Sequence, residues 1–248
     1  MSGWTEEDSA TYTAIADVAV PLRRDLMGTL VAAVPFEREE AFRIVELGSG
    51  DGLLAETLLD SFPAATLLAL DGSAFMRQAA DIRTARFGIR AKVRPFELDT
   101  LEWWDLMLGA DLVVSSLCLH HLNDAKKQYL YKAIAGRLSP RGALIVADLV
   151  EPAHAAARQL AADAWDAAAR SQAEAIGHPE IYERFIQERW NHFRFPDPAD
   201  SPSALLHHLI WLKHAGFAAA ECLWLHAGHA VFAGFAPSAS TGPPPSIQ

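Results

Sequence analysis

The sequence predicts an α/β fold: a largely parallel sheet with helices on both faces. Three observations carry that expectation. Between Arg43 and Leu149, apolar runs of strand length alternate with helical patterns. A glycine-rich turn joins the first of these runs to its helix. The first three runs each end at or beside an acidic residue, where a doubly wound sheet presents its carboxyl edge to a ligand.

In chain order, Ala10 to Val34 reads as helical, with Pro21 starting a second helix. Arg43–Leu47 is the first strand, followed by the glycine turn and a helix from Leu53 to Ser61. Thr66–Asp71 is the second strand and Ala74 to Ala85 its helix. Ala91–Leu98 and Asp111–Leu117 are the third and fourth strands. Leu122, Ala125, Tyr129, Ala133, Ile134 and Leu138 then fall at helical spacing and predict one apolar stripe. Ser139-Pro-Arg-Gly142 should end that helix before a fifth strand, Ala143–Leu149.

From Glu151 to Asp200 the pattern changes. An alanine-rich helix covers Ala153 to Ile176, His178-Pro179 breaks it, and a second helix spans Pro179–His192. Phe195–Asp200 reads as a loop, and Ser201-Pro202 as the cap and first residue of a helix that stops at Ala215-Gly216. Two last strands, Ala220–His226 and His229–Phe235, flank a hairpin signal at Ala227-Gly228. The expected organisation is one domain over 1–236, with N-terminal helices in 1–40, a helical insertion over 151–200, and a disordered Pro/Ser-rich tail at 237–248.

Composition narrows the function classes. The chain has 248 residues and a formal charge of −10, which disfavours a broad nucleic-acid surface. Its local basic run, Arg83, Arg86, Arg90, Lys92 and Arg94, reads more simply as a solvated face. No apolar stretch approaches the roughly 20 residues of a membrane span. With an acidic start and two cysteines, Cys118 and Cys222, read as packed thiols, the expectation is a cytoplasmic protein acting on small molecules. The sequence leaves the oligomeric state open.

The strongest chemical signal is Arg43-Ile-Val-Glu-Leu-Gly-Ser-Gly-Asp-Gly52. Glycines let the backbone turn tightly and let a ligand approach where a Cβ would intrude. A nicotinamide-binding turn would read G-x-G-x-x-G; here the pattern is G-x-G-x-G, preceded two residues earlier by Glu46. An acidic residue beside the turn suits the cationic amino acid part of S-adenosylmethionine (SAM), which has no phosphate. Asp71 ends the second strand, where a carboxylate can accept from both ribose hydroxyls, although it also fits a helix N-cap. Asp99, followed by Thr100, follows the third strand and could accept from an adenine amino group or form an ordinary turn. Val113 to Leu122 is a strand running into a loop with two histidines.

Glu46-Leu-Gly-Ser-Gly-Asp-Gly52, Asp71, Asp99 and Ser115-Ser-Leu-Cys-Leu-His-His-Leu122 together resemble the class I SAM-dependent methyltransferases, most closely the small-molecule type with a Leu-His-His-Leu signature. The match runs in order from about Ala41 to Val150 and resumes at Trp211-Leu-Lys-His-Ala-Gly-Phe217. The resemblance implies a Rossmann-like, seven-stranded, mostly parallel sheet whose last strand is antiparallel. It implies that Glu46, Gly48, Ser49, Gly50 and Gly52 surround the methionine part of SAM. Asp71 and Gly72 would hold the ribose, Met76 would pack near the adenine, and Asp99 with Thr100 would face its amino group. Ser115, Ser116 and Leu117 would offer carbonyls towards the sulfonium.

His120 and His121 invite general-base chemistry, but one of the pair also reads as packed and satisfied by backbone. Many methyl transfers need no base, because the sulfonium is already activated. For the acceptor, the helical insertion is expected to act as a lid, with Arg189, Trp190, His192 and Trp211 as candidates and Tyr12 closing from the N-terminal side. Ten histidines raise a metal question, but no cluster has zinc spacing, so no metal site is expected. The expected activity is methyl transfer from SAM to a small-molecule acceptor by in-line displacement, leaving S-adenosylhomocysteine. Rival readings are a SAM-binding sensor or scaffold without turnover, another SAM chemistry on the same fold such as carboxymethyl donor synthesis, and a nicotinamide oxidoreductase.

Overall fold

The computed structural model describes residues 5–237. Seven strands form one sheet in the order β3-β2-β1-β4-β5-β7-β6. They are β1 Arg43–Leu47, β2 Thr66–Asp71, β3 Ala91–Pro95, β4 Ala110–Ser116, β5 Leu138–Leu149, β6 Ala219–His226 and β7 His229–Phe235. β1 pairs in parallel with β2 and β4, and β7 runs antiparallel to both β5 and β6. The order reverses between β1 and β4, the switch point at which ligands bind in doubly wound sheets. The helices are α1 Glu6–Ala19, α2 Arg23–Ala32, α3 Leu53–Ser61, α4 Ala74–Thr84, α5 Asp124–Ala135, α6 Ala155–Ala175, α7 Pro179–Gln187 and α8 Leu205–Ala215.

Strand periodicity divides the core in two. Ile44, Leu112, Val114, Ile145 and Val231 face one side, where α1, α2, α3, α6 and α7 pack. Val45, Val113, Leu144, Val146 and Phe232 face the other, against α5 and α8. Both faces are covered, so the central strands read as continuous apolar runs.

The sequence expectations need correction in several places. Ser139-Pro-Arg-Gly142 lies inside β5 rather than ending a helix, because β5 starts at Leu138. Of the stripe expected on α5, Leu122, Ala133 and Ile134 are buried, but Ala125 is exposed. Tyr129 is exposed, and Lys127, Leu130, Tyr131, Ala133 and Ile134 are the buried residues. Lys127 is tolerated there because its Nζ donates to Ser203 Oγ at 2.6 Å and to the Ser201 carbonyl. That same clamp holds residues 201–203 extended, with Ser203 bridging to Val150, so α8 begins at Leu205 rather than at Pro202. α7 ends at Gln187, short of His192. Cys118 is buried, but Cys222 is exposed on the edge strand β6. From residue 238 onward the expected tail lies outside the described residues.

The basic run belongs largely to the scaffold. Arg83 pairs with Asp51 and Glu56, Arg86 with Glu56 and Asp60, and Arg90 donates to the carbonyls of Leu59, Phe62 and Ala65. Among the described residues, no helix is long and apolar enough to cross a membrane.

The N-terminal helices and the insertion share one layer. Trp165 Nε1 of α6 donates to the Ala19 carbonyl at 3.0 Å. Gln172 donates to the carbonyls of Asp17 and Val20 and accepts from Leu22 N, so it satisfies the end of α1 and the turn into α2. Glu6, at the start of α1, reaches the N-terminus of α4, where its carboxylate accepts from Ser73 Oγ, Ala74 N and Phe75 N.

Candidate active site

A cleft of about 1440 Å³ opens over the carboxyl ends of β1, β2 and β4. Single drug-sized ligands occupy pockets of about 300–1,000 Å³, so this space is larger than one such ligand requires. One wall is the glycine turn. Gly48 N and Ser49 N donate to the Leu70 carbonyl at 2.8 and 3.0 Å, which ties the turn to the end of β2. Gly48 has φ +70°, and a Cβ there would stand 2.4 Å from Cys118 Sγ. Gly52 has φ +82° and lies under α4, where a Cβ would meet Ala80 Cα at 2.9 Å. The two positions therefore require glycine for different reasons: approach of the β4 loop, and helix packing.

Glu46 is fully buried at the end of β1, and neither carboxylate oxygen has a hydrogen-bond partner. Burial, then the nearby Asp71 and Asp51 charges, pushes its carboxyl well above the usual range. Such a group is costly unless a cation arrives to pair with it. Asp71, at the end of β2, accepts from Gly50 N at 2.8 Å and from Ser73 N at 2.9 Å. Each carboxylate oxygen keeps a lone pair for a hydroxyl of a ligand in the cleft.

Gly72, Met76, Asp99, Thr100, Ser116 and Leu117 also line the cleft, together with Glu46, Gly48, Ser49, Gly50 and Asp71. Asp99 additionally pairs with Lys126 at 3.3 Å. Gly52 and Ser115 do not reach the lining: Gly52 serves the packing of α4, and buried Ser115 donates from Oγ to the Leu47 carbonyl at 2.9 Å.

The opposite end of the cleft is built from the β4 loop and residues 188–200. His120 and His121 form a short 3-10 turn after β4. His120 Nδ1 lies 2.5 Å from Asp148 Oδ1, and its backbone N–H donates to Asp148 Oδ2 at 3.0 Å. Burial alone would depress the His120 pKa, but the Asp148 carboxylate outweighs it and raises the imidazole above its ordinary value. His120 Nε2 points to Asp200, with His121 Nδ1 3.0 Å and His192 Nδ1 3.2 Å from the same carboxylate. Against its burial, these histidines hold Asp200 well below the usual carboxylate range.

Tyr12, Arg189, Trp190 and His192 line this end, and Tyr12 and Trp190 approach ring to ring at 5.9 Å. Trp211 is elsewhere: it lies on α8 beside His207 and His208, outside the cleft lining. Sequence reasoning missed Asp148, Asp200 and Glu6. Asp148 was findable by the rule that located Asp71, a carboxylate at the carboxyl end of a strand; Asp200 and Glu6 carry no local signal.

Comparisons with known proteins agree with this geometry. A family model described as a methyltransferase domain matches residues 45–144, which run from β1 into β5. The malonyl-[acyl-carrier protein] O-methyltransferase of Chlorobium phaeovibrioides is 36% identical over 107 residues, covering 41% of this chain and 38% of that protein. The trans-aconitate 2-methyltransferase of Methylobacterium radiotolerans is 30% identical over 185 residues, covering 73% of this chain and 62% of that protein. This chain thus spans less than two thirds of either relative. Among solved structures, an O-methyltransferase family protein from Burkholderia thailandensis superimposes with a TM-score of 0.64 at 16% identity, over 88% of this chain and 57% of that one. Residues 45–144 thus match a methyltransferase domain, and in its 3-2-1-4-5-7-6 sheet and G-x-G-x-G turn the chain is similar to the class I SAM-dependent methyltransferases.

Proposed function

We propose that this protein transfers a methyl group from SAM to a small-molecule acceptor, by in-line displacement within the cleft. The observation that carries the reading is the buried, unpartnered Glu46 carboxylate beside the glycine turn. A ligand bearing an ammonium group relieves it, and SAM bears one. Asp71 would receive the ribose hydroxyls, Met76 would pack on the adenine, and Asp99 would face its amino group. Bound SAM supplies an electrophilic methyl group on a sulfonium.

The chain's own residues then do three things. The glycine turn and Glu46 would hold the amino acid part of SAM. Insertion residues 151–200 and α1 act as a lid that excludes water and selects the acceptor, with Tyr12, Arg189, Trp190 and His192 on its inner surface. His120, oriented by Asp148, and His121 receive the acceptor's polar group and hold its proton where one must be lost. Alignment of nucleophile and methyl group supplies the main acceleration. One relative is named for trans-aconitate, a small carboxylic acid, and the other for a malonyl group carried on a protein; the small polar acceptor proposed here is of the first kind.

The test is calorimetric titration with SAM and S-adenosylhomocysteine, using Asp71→Ala as control, followed by an acceptor screen read by product mass. Saturable binding that Asp71→Ala loses, with a methylated product, is the expected result. Binding without turnover on any acceptor would favour a sensor, and binding of nicotinamide cofactors instead would overturn the reading.

A further inference from the structure

We propose that His120, His121 and Asp200 form a binding site for one divalent transition-metal cation of zinc type, open towards the acceptor end of the cleft. The spacing in the sequence hides it, because two ligands come from the β4 loop and the third from residues 188–200. The fold brings one donor atom from each within 4.8 Å of the others. Asp200 Oδ1 is 3.0 Å from His121 Nδ1 and 3.6 Å from His120 Nε2. Zinc–nitrogen bonds of about 2.0–2.1 Å set ligand atoms about 3.3 Å apart on a tetrahedron, so these separations already bracket the requirement.

Partners behind the donors orient two of the three. His120 Nδ1 meets Asp148 Oδ1 at 2.5 Å, which turns Nε2 into the cleft and makes it basic, as carboxylates behind metal-bound histidines do. Asp200 Oδ2 lies 3.2 Å from His192 Nδ1, leaving Oδ1 to the other two histidines. The Asp200 backbone is anchored as well. Ser201 N donates to the His120 carbonyl at 2.6 Å, and the buried Lys127 holds the Ser201 carbonyl and Ser203 Oγ. Lys127 spends its charge on this clamp, which fixes the third ligand to the first.

The chemistry of the set decides the ion. Two imidazoles and one carboxylate suit zinc, cobalt or nickel, whereas magnesium and calcium prefer oxygen cages. With three protein ligands the fourth position stays open for an acceptor oxygen or nitrogen; in the metal-loaded protein the ion, in place of His120 and His121, would then receive the acceptor's polar group and favour loss of its proton. The same ion would fasten residues 188–200 to the sheet edge. The site stands on its own geometry and does not depend on the methyl-transfer reading.

The probe is cobalt(II), with zinc(II) for calorimetry, added to protein dialysed against a chelator. We expect one equivalent per chain, visible ligand-field bands of low-coordinate cobalt, and a melting temperature raised by zinc. His121→Ala and Asp200→Ala should weaken binding at least about 100-fold, and Asp148→Asn by about 10–100-fold through its effect on His120. His226→Ala, on the terminal hairpin, should bind as wild type does. The melting curve of each variant without metal shows whether it folds, and Asp148→Asn tests the site with the smallest change of shape. Absence of stoichiometric binding to wild type overturns the proposal, as does binding that survives all three substitutions. Protein that binds cobalt but no S-adenosylhomocysteine would overturn the methyl-transfer reading and leave the metal site standing; the reverse result would remove the metal site alone.

Discussion

Replacing Glu46 with methionine should stabilise the protein and weaken cofactor binding, two effects of opposite sense from one residue. Glu46 is fully buried and its carboxylate has no hydrogen-bond partner. An unsatisfied buried polar group costs about 1–3 kcal/mol, and an unbranched apolar side chain of similar length removes that cost. For a domain of this size 1 kcal/mol moves the melting temperature by about 2–4 °C, so Glu46→Met should melt about 2–12 °C higher without ligand. The gain should depend on pH. The folded pKa is raised, mainly by burial, so the native state holds a proton that the unfolded state has lost above pH about 4.3. Wild type therefore loses stability as pH rises from there to the folded pKa, and the variant does not. The advantage of Glu46→Met should shrink as the pH is lowered to 4. In the complex, the substitution removes a hydrogen bond between charged groups, about 1.5–3 kcal/mol, or about 10–150-fold in the dissociation constant of S-adenosylhomocysteine. Differential scanning fluorimetry and calorimetric titration read the two effects separately. A variant that melts lower than wild type, with affinity unchanged within about threefold, would refute the assignment of Glu46 to the ammonium group.

Three other outcomes follow from the same structure. Asp71→Asn leaves one of the N–H groups of Gly50 and Ser73 facing an amide N–H, so it should lose about 1–3 kcal/mol in urea unfolding and bind S-adenosylhomocysteine at least about tenfold more weakly. Trp190→Ala should raise KM or lower kcat for an acceptor found by the screen while leaving S-adenosylhomocysteine affinity within about threefold, and a retained rate would remove Trp190 from the acceptor pocket. Buried His208 and His229 have pKa values lowered to about 4, mainly by burial, so the unfolded chain takes up protons first as pH falls below about 6.5. Stability should then rise with pH between about 4.5 and 6, by up to about 2.7 kcal/mol per pH unit for the pair, and His229→Phe should halve that slope in urea titrations.

What was legible in the sequence was whatever local spacing encodes. β1, α3 and β2 fall at the limits read from the apolar runs, because a buried parallel strand leaves an uninterrupted apolar segment and the glycines mark its end. That Glu46, Asp71, Ser116 and Leu117 would meet at one cleft was legible for the same reason: each lies at or just beyond a strand end, and those ends share one sheet edge. Failures came where tertiary contacts override local pattern. Lys127 reads as a surface residue of α5, and only the distant Ser201 and Ser203 make its burial tolerable. Ser201-Pro202 reads as a helix start, but the same lysine and the bridge to Val150 hold it extended. Trp211 lies in a segment that resembles the family, but α8 packs it beside His207 and His208, outside the cleft lining. Asp200 follows a Pro-rich loop in the sequence, and nothing local places it among His120, His121 and His192.

That contrast bears on how the cleft divides its work. Of the groups proposed for SAM, Glu46 and Asp71 stand on strand ends, and the turn between them is forced by steric contact to be glycine at Gly48 and Gly52, so their positions are set by the sheet. The groups proposed for the acceptor stand on α1, on the β4 loop and on residues 188–200, which the sheet does not fix. They are held instead by a few long-range polar links: Glu6 to the start of α4, Gln172 to the end of α1, and Lys127 to the Ser201 carbonyl and Ser203. Each link joins segments far apart in sequence, so breaking one should loosen the acceptor wall while leaving the cofactor wall in place. Substitutions at these links should therefore act on acceptor KM before they act on S-adenosylhomocysteine affinity. Glu6 is the exception, because its carboxylate also occupies the N-terminus of α4 beside Asp71, where the two walls meet.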